Sequence, residues 1–144
     1  MKRVLVIDDD PAIARLVQTA LWNADVEHTL EYCSDGSQGR LMAARGGYDL
    51  ITLDLAMPFM DGTEALREMR GNPKSASIPT VVITALEDAQ LHQQVKELGA
   101  AAVITKPFEI WELVSILKLV MAGQEVKPPT PPGEGDAPGM PRVG

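Results

Sequence analysis

Cysteine, aromatic residues and long apolar runs are all scarce in this chain of 144 residues. The single cysteine, Cys33, excludes an internal disulfide and any zinc site that is built from several cysteines. The most apolar stretch, 110–121, is interrupted by polar residues and is far shorter than the roughly 20 residues that a membrane-spanning helix needs. Aspartates follow the short apolar run 4–7 at once, so no secretory leader is predicted. We therefore expect a cytoplasmic protein without a membrane segment.

Basic residues are also few, with 13 Lys and Arg against 20 Asp and Glu and a net charge of −7. An acidic protein repels phosphate backbones, so direct binding to DNA or RNA is not expected. Apolar residues make up 45% of the chain and charged residues 23%, which is typical of a globular domain. The length is sufficient for one domain with its own hydrophobic core.

The last segment, 124–144, differs from the rest of the chain in composition. It contains six of the eleven prolines and four glycines, and almost no large apolar side chains. Such a segment buries too little apolar surface to offset the entropy lost on ordering. The sequence therefore predicts a folded domain over 1–123 and a flexible Pro/Gly-rich tail over 124–144.

Residues 1–123 alternate between short apolar runs and helical patterns. Four runs are rich in β-branched residues and too short for helices, which is typical of buried parallel strands: 4–7, 50–53, 81–83 and 101–104. A fifth segment, 26–32, alternates apolar and polar residues, which predicts a half-exposed strand at a sheet edge. A helical pattern follows each strand. This order predicts a doubly wound α/β fold, with helices on both faces of a five-stranded parallel sheet.

Polar side chains follow four of these predicted strands. Because the carboxyl ends of parallel strands meet at one edge, where open α/β sheets bind ligands, we expect these side chains in one cleft. Carboxylates suit Mg²⁺, ammonium and hydroxyl groups suit phosphoryl oxygens, and an aspartate can act as a nucleophile. The set predicts a site that holds a phosphoryl group on an aspartate: Asp8 and Asp9, then Asp54, Thr84 and Lys106. The third aspartate after the first strand, Asp10, precedes Pro11 and is predicted to cap the following helix.

Four short strings mark the same strand ends. They are Val-Leu-Val-Ile-Asp-Asp-Asp-Pro at 4–11, Leu-Asp-Leu-Ala-Met-Pro-Phe-Met-Asp-Gly at 53–62, Ile-Thr-Ala at 83–85 and Thr-Lys-Pro-Phe at 105–108. Each string alone could occur by chance, but all four together, in this order, make residues 1–123 resemble the receiver domain of two-component response regulators. The resemblance implies a flavodoxin-like (βα)5 fold with strand order 2-1-3-4-5.

The resemblance also implies a role for each residue of the predicted site. Asp54 matches the phosphoacceptor, while Thr84 and Lys106 match the hydroxyl and the ammonium that contact the phosphoryl group. A cis peptide bond between Lys106 and Pro107 is implied as well. The ligands implied for Mg²⁺ are Asp8, which acts mainly through coordinated water, Asp9, Asp54 and the backbone carbonyl of Ala56.

Three positions depart from the family pattern. Val103 stands where the family usually has an aromatic residue that moves together with the hydroxyl at the position of Thr84. Ala56 and Leu86 stand where side chains tune the hydrolysis of the acyl phosphate. Because neither side chain can hydrogen-bond a water molecule, we expect a long-lived phosphoryl group.

The predicted last helix, 110–121, carries apolar residues outside its core stripe. An apolar surplus of this kind is typical of a protein–protein interface. The family often dimerises through its fourth helix, fifth strand and fifth helix, so a homodimer is expected through this face. The residues assigned to it are Val103, Trp111, Ile116 and Leu119.

The expected function is that of a receiver that takes a phosphoryl group from a sensor histidine kinase or a histidine phosphotransfer protein. Since no pattern of a DNA-binding or enzymatic output domain follows Gly123, signalling through protein contacts is expected. The chain is not expected to be a conventional enzyme, because a phosphatase of the haloacid dehalogenase type would need an aspartate at Ala56. The alternative is a degenerate receiver that acts as an unphosphorylated scaffold. Val103 favours this alternative, whereas the intact acidic cluster disfavours it.

Overall fold

The computed structural model describes residues 1–58, 60–129 and 131, which are built around a parallel sheet. A second, two-stranded antiparallel sheet pairs β4 with β5. The strands are β1 (Lys2–Ile7), β2 (His28–Cys33), β3 (Leu50–Leu53), β4 (Ala56–Met57), β5 (Met60–Asp61), β6 (Thr80–Thr84) and β7 (Ala102–Thr105). The helices are α1 (Pro11–Asn23), α2 (Gly36–Arg45), α3 (Gly62–Gly71), α4 (Ala89–Glu97) and α5 (Ile110–Met121).

The main sheet has five strands in the order β2-β1-β3-β6-β7, and all four pairings are parallel. Counted within this sheet alone, the order is 2-1-3-4-5, so the predicted fold is confirmed. The strand predicted at an edge is β2, whose residues alternate between half-buried and exposed up to its last residue. The other edge is β7, and for this reason every second residue of β7 is only half-buried. The short pair β4–β5 was not predicted.

Two apolar clusters cover the two faces of the sheet. Helices α1 and α5 pack on one face, and helices α2, α3 and α4 pack on the other. Val4 and Val6 of β1 point to the first cluster, whereas Leu5 and Ile7 point to the second, as the alternation of side chains along a strand requires. The central strands are therefore buried from both sides and held rigidly.

Aspartates begin four of the five helices. The carboxylates of Asp10, Asp35, Asp61 and Asp88 accept backbone N–H groups from the first turns of α1, α2, α3 and α4. Such N-caps satisfy donors that have no partner within the helix. Because each cap follows a strand or a short connection directly, it sets where the chain turns away from the carboxyl edge of the sheet.

Ile116 corrects one part of the predicted interface. It is only 4% exposed and belongs to the cluster beneath α1 and α5, so it cannot contribute to a surface. The physical reason is that α5 packs against α1 as well as against the sheet. The two contacts together bury a wider stripe of α5 than contact with the sheet alone would bury. Val103, Trp111 and Leu119 are half-buried.

Helix α5 ends at Met121, and Gly123 follows with a positive φ of 71°. The described residues beyond it, 124–129 and 131, belong to no helix or strand, and Val126 packs against the α1–α5 cluster. The rest of the predicted tail, 130 and 132–144, lies outside the described residues, so the flexible tail stays a prediction. In the described part of the chain, no helix has the length and apolarity needed to cross a membrane.

Gly62 permits a close approach between α3 and the strand end that carries Asp54. A Cβ atom at Gly62 would overlap the Cα atom of Leu55, which directly follows Asp54. At Gly71, at the other end of the same helix, no atom lies within 4 Å of the place that a Cβ atom would take. The two glycines therefore have different roles within one helix.

We predict that Gly62→Ala lowers the free energy of unfolding by about 1–3 kcal/mol, because the added methyl group must displace backbone. Gly71→Ala is the matched control, and it should be neutral or stabilise the protein by up to about 1 kcal/mol. Urea denaturation of the parent and both variants measures the difference. Equal effects of the two substitutions would contradict the assigned close approach.

Candidate functional site

The backbone carries the site residues at the carboxyl edge of the sheet. Sheet hydrogen bonding continues one residue past β1 and β3, with Asp8 N–H donating to the Cys33 carbonyl at 3.1 Å and Asp54 N–H to the Ile7 carbonyl at 3.0 Å. The Lys106 N–H donates to the Thr84 carbonyl at 2.7 Å. Since these bonds belong to the sheet, they fix the Cα positions of residues from three different strand ends relative to one another.

A single ammonium group joins two buried carboxylates at this edge. Lys106 Nζ lies 2.9 Å from Asp8 Oδ2 and 3.2 Å from Asp54 Oδ2. The side chains of Asp8 and Asp54 are 2% and 5% exposed, and that of Lys106 is 20% exposed. These ion pairs connect the end of β7 with the ends of β1 and β3, and their partners are 98 and 52 residues apart in the chain.

The second oxygen of each buried carboxylate is oriented by the backbone. Asp8 Oδ1 accepts the N–H of Asp10 at 2.9 Å, and Asp54 Oδ1 accepts the N–H of Ala56 at 3.0 Å. Both are Asx turns, in which an aspartate accepts the N–H two residues further on. These bonds were not predicted, although an aspartate that directly follows a buried strand and precedes a turn is their signal.

Asp9 completes an acidic cluster with these two residues. Carboxylate oxygens of Asp8, Asp9 and Asp54 all lie within 4.8 Å of one another, and Asp9 is the exposed member. This is the only such group of potential metal ligands among the described residues. The cluster is therefore open to solvent on the side of Asp9.

Burial raises the pKa of Asp8 above its ordinary value of 3.8, and the nearby charge of Asp54 acts in the same direction. The Asp10 N–H and the Lys106 ammonium counteract this rise only in part. For Lys106, burial alone would lower the pKa, but the hydrogen bonds and charges of Asp8 and Asp54 outweigh burial and raise its pKa above 10.5. The ammonium therefore stays charged, and the cluster carries more negative charge than Lys106 balances.

The donor set fits a hard divalent cation. Three carboxylates against one ammonium leave an excess of two negative charges in a largely buried site. Oxygen ligands of this kind and number, open on one side to water, are those that Mg²⁺ prefers. Ala56, which was predicted to add a backbone carbonyl, lies at the exposed start of β4, and its N–H contacts Asp54.

Thr84 is fully buried at the end of β6 and pairs in register with Thr105 of β7. Its hydroxyl oxygen accepts the N–H of Leu86 at 3.2 Å. In the described part of the chain, no hydrogen bond joins it to the acidic cluster. The structure thus joins Asp8, Asp54 and Lys106 by ion pairs, brings Asp9 within 4.8 Å of the other two carboxylates and places Thr84 at the same edge. The peptide bond between Lys106 and Pro107 is cis, as the resemblance implied.

We predict that Asp8→Asn raises the free energy of unfolding by about 1 kcal/mol at neutral pH in the presence of a chelator. Asparagine keeps an oxygen for the Asp10 N–H but removes the buried charge. Because the pKa of Asp8 is raised in the folded state, the stability of the parent falls as the pH rises from below 3.8 through that raised pKa. The difference in the free energy of unfolding between Asp8→Asn and the parent should therefore grow over this acidic range and then remain constant at higher pH.

Urea denaturation at several pH values measures this difference. Asp88→Asn is the matched control, since it removes one exposed carboxylate and asparagine is an equally good N-cap. Mg²⁺ should stabilise the parent and the control more than Asp8→Asn. A parent that is more stable than Asp8→Asn at neutral pH without metal would contradict the predicted cost of the buried charge.

Comparison with known proteins gives a family match over most of the chain. Residues 4–118 match the response regulator receiver domain. The DNA-binding dual master transcriptional regulator RpaA of Synechocystis sp. is 36% identical over 121 residues, which cover 84% of this chain and 49% of RpaA. The response regulator ArlR of Staphylococcus saprophyticus is 32% identical over 127 residues, which cover 88% of this chain and 56% of ArlR. The chain spans about half the length of these curated relatives.

Solved structures share both the fold and part of the sequence. The Mn²⁺-bound form of response regulator Rcp1 superposes with a TM-score of 0.71 at 28% identity, covering 90% of this chain and 100% of Rcp1. The chemotaxis protein CheY4 of Vibrio cholerae gives a TM-score of 0.70 at 29% identity, covering 83% of this chain and 98% of CheY4. The sequence match, the strand order and the acidic strand ends thus agree, and the chain belongs to the receiver domains of two-component response regulators.

Proposed function

We propose that this receiver domain accepts a phosphoryl group on Asp54 and signals through the contacts that its surface then makes with other proteins. The observation that carries the proposal is the pair of bonds from Lys106 Nζ to Asp8 and Asp54, beside the exposed carboxylate of Asp9. A buried cluster of like charges is costly unless it binds something positive or electrophilic. The phosphorus atom of a phosphoryl donor, together with a divalent cation, meets this requirement.

The transfer itself needs little beyond positioning and charge balance. A carboxylate oxygen of Asp54 attacks the phosphorus of a phosphohistidine, a P–O bond forms as the P–N bond breaks, and the imidazole leaves with the electron pair and takes up a proton. Lys106 lies within 3.2 Å of Asp54 and is the fixed cation for the developing phosphoryl charge. The Thr84 hydroxyl keeps its own hydrogen, which it can donate to a phosphoryl oxygen.

The residues that would hold Mg²⁺ are Asp8, Asp9, Asp54 and the backbone carbonyl of Ala56. When bound there, Mg²⁺ neutralises negative charge that Lys106 alone leaves unbalanced. The Mn²⁺-bound form of Rcp1, a similar protein, supports a divalent cation in this family. Asp8 is already oriented by the Asp10 N–H and Lys106, so its remaining lone pairs are what it offers to a metal or to coordinated water.

A histidine kinase or a histidine phosphotransfer protein is the proposed donor. The surface formed by α4, β7 and α5 is the proposed homodimer face, with Val103, Trp111 and Leu119 as its half-buried apolar residues. The relatives RpaA and ArlR are longer than this chain, so a DNA-binding activity such as the name of RpaA states is not assigned to this domain. The alternative of an unphosphorylated scaffold is supported by Val103 at the position of the family's aromatic switch residue.

We predict that incubation with Mg²⁺ and acetyl phosphate adds one phosphoryl group to the parent chain, as measured by intact mass. Asp54→Asn should gain none, because it lacks the attacking carboxylate, and a chelator should block the gain in the parent. Asp49→Asn is the matched control, because it makes the same change just before β3, at the opposite end of the strand that precedes Asp54.

The outcomes separate the two functions. No gain of mass by the parent under any condition would refute phosphorylation and favour the scaffold. A gain by Asp54→Asn would move the phosphoacceptor to another residue. Sizing of the parent before and after phosphorylation tests the homodimer, and a strictly monomeric mass in both samples at high concentration would refute it.

We also predict that the phosphoryl group, once formed, is long-lived in the isolated protein. Ala56 and Leu86 present no polar side-chain atom to orient an attacking water molecule. Ala56→Asn, which adds a hydrogen-bonding side chain beside Asp54, should shorten the lifetime. The decay of the phosphorylated mass after removal of the donor measures this, and a lifetime of only seconds in the parent would contradict the prediction.

A further inference from the structure

In the connection between β6 and α4, both backbone groups of Leu86 form hydrogen bonds with side chains. The Leu86 N–H donates to Thr84 Oγ1 at 3.2 Å. The Leu86 carbonyl oxygen lies 2.6 Å from Nε2 of His92, one turn into α4. Thr84 and His92 are thus linked by two hydrogen bonds that share the backbone of Leu86.

The bond to His92 does not depend on the charge of the imidazole. A carbonyl oxygen only accepts hydrogen bonds, so Nε2 must carry a proton in this contact. Both the neutral ring with Nε2 protonated and the imidazolium meet that condition. The ring therefore donates to the Leu86 carbonyl in either state, and the strength of this bond depends on its distance and angle.

The two ends of this link differ in how firmly they are held. Helix α4 is anchored by Val95, which is fully buried, and by the Asp88 cap, which accepts the N–H groups of Gln90 and Leu91. Leu86 is 39% exposed, and residues 85–88 between strand and helix are all exposed. His92 therefore acts from the better anchored of the two elements, a helix that is capped by Asp88 and packed at Val95, on the exposed segment 85–88.

A phosphoryl group on Asp54 would act on the other end of the link. No hydrogen bond joins Thr84 Oγ1 to Asp54 in the described part of the chain, so the side chain of Thr84 has to rotate for its hydroxyl to reach a phosphoryl oxygen. This rotation moves Oγ1, and the Leu86 N–H that donates to it follows. The Leu86 carbonyl then moves relative to the ring of His92, and hydrogen bonds weaken steeply as their distance and angle depart from the optimum. Val103, half-buried against the α2–α4 side of the sheet, has no ring that could occupy the vacated space.

We propose that His92 is a positioning residue that holds the segment after Thr84 in its unphosphorylated arrangement, so that its bond to Leu86 opposes the change that phosphorylation brings. This inference rests on the proposed function, because it needs a phosphoryl group at Asp54. Linkage requires that a contact favouring the unphosphorylated arrangement weakens the binding of a phosphoryl group, and that its loss strengthens that binding.

The experiment measures the affinity of the full chain for beryllofluoride, a phosphoryl mimic, in the presence of Mg²⁺. His92→Phe keeps a ring but removes the donor, and it should bind beryllofluoride roughly three- to tenfold more tightly than the parent, the range expected for one hydrogen bond. His92→Gln restores an N–H donor and should remain close to the parent. Isothermal titration gives the affinities, and urea denaturation verifies that each variant folds.

Two controls separate positioning from a general structural effect. His28→Phe removes a similar bond, from Nδ1 to the Val26 carbonyl at 2.9 Å, at the amino end of β2, and should leave the affinity unchanged. In a Thr84→Val background the link to Leu86 is already broken, so His92→Phe should have no further effect there.

The measured affinities for beryllofluoride either support or overturn the role proposed for His92. The inference is overturned if His92→Phe binds like the parent, if His28→Phe shifts the affinity equally, or if the effect of His92→Phe persists without the Thr84 hydroxyl. If the parent itself fails to bind beryllofluoride while Asp54 is intact, the proposed function fails and this inference fails with it. Tighter binding by His92→Phe alone, with rescue by His92→Gln, supports the inference.

Discussion

The ammonium of Lys106 is the interaction on which the carboxyl edge of the sheet depends. It is the one cation within bonding distance of both Asp8 and Asp54 among the described residues, and it joins the ends of three strands. Burial raises the pKa of Asp8 and Lys106 offsets that rise only in part, while the bonds and charges of Asp8 and Asp54 raise the pKa of Lys106 itself. The same ion pairs therefore hold the site together and leave it electrostatically incomplete. That incompleteness is what gives the site affinity for a cation and for an electrophilic phosphorus atom.

Such a site is stable only because the rest of the fold is rigid. Apolar clusters on both faces bury the strands that end in the cluster, and sheet hydrogen bonds fix the Cα positions of Asp8, Asp54 and Lys106. Like charges are brought together by packing energy from elsewhere in the chain, a trade of stability for activity that many sites make. The two Asx turns add local bonds that orient the carboxylates without reducing their charge.

Features that follow from short stretches of sequence could be predicted, and features that depend on distant packing could not. The strands, the helices, the cap at Asp10 and the meeting of aspartates with Lys106 follow from periodicity, local capping and the rule for parallel strand ends. Ile116 was misplaced because α5 packs against α1, which no pattern within α5 reveals. The pair β4–β5 was not predicted, because strands of two residues are too short to show an alternation of apolar and polar side chains. The link from Thr84 to His92 runs through a backbone group and has no signature in residue types.

Helix α2 differs from its neighbours in how it is attached. The residues that it buries are Gly36, Gly39 and Ala43, and its one leucine, Leu41, is 55% exposed. Because Cβ atoms at Gly36 and Gly39 would collide with Met60 and Ile7, the helix is seated by shape rather than by a large apolar stripe. Apolar area is the main source of resistance to local opening. Its backbone amides should therefore exchange with solvent through local openings that expose little apolar surface, which makes α2 a readily remodelled part of the fold beside β2.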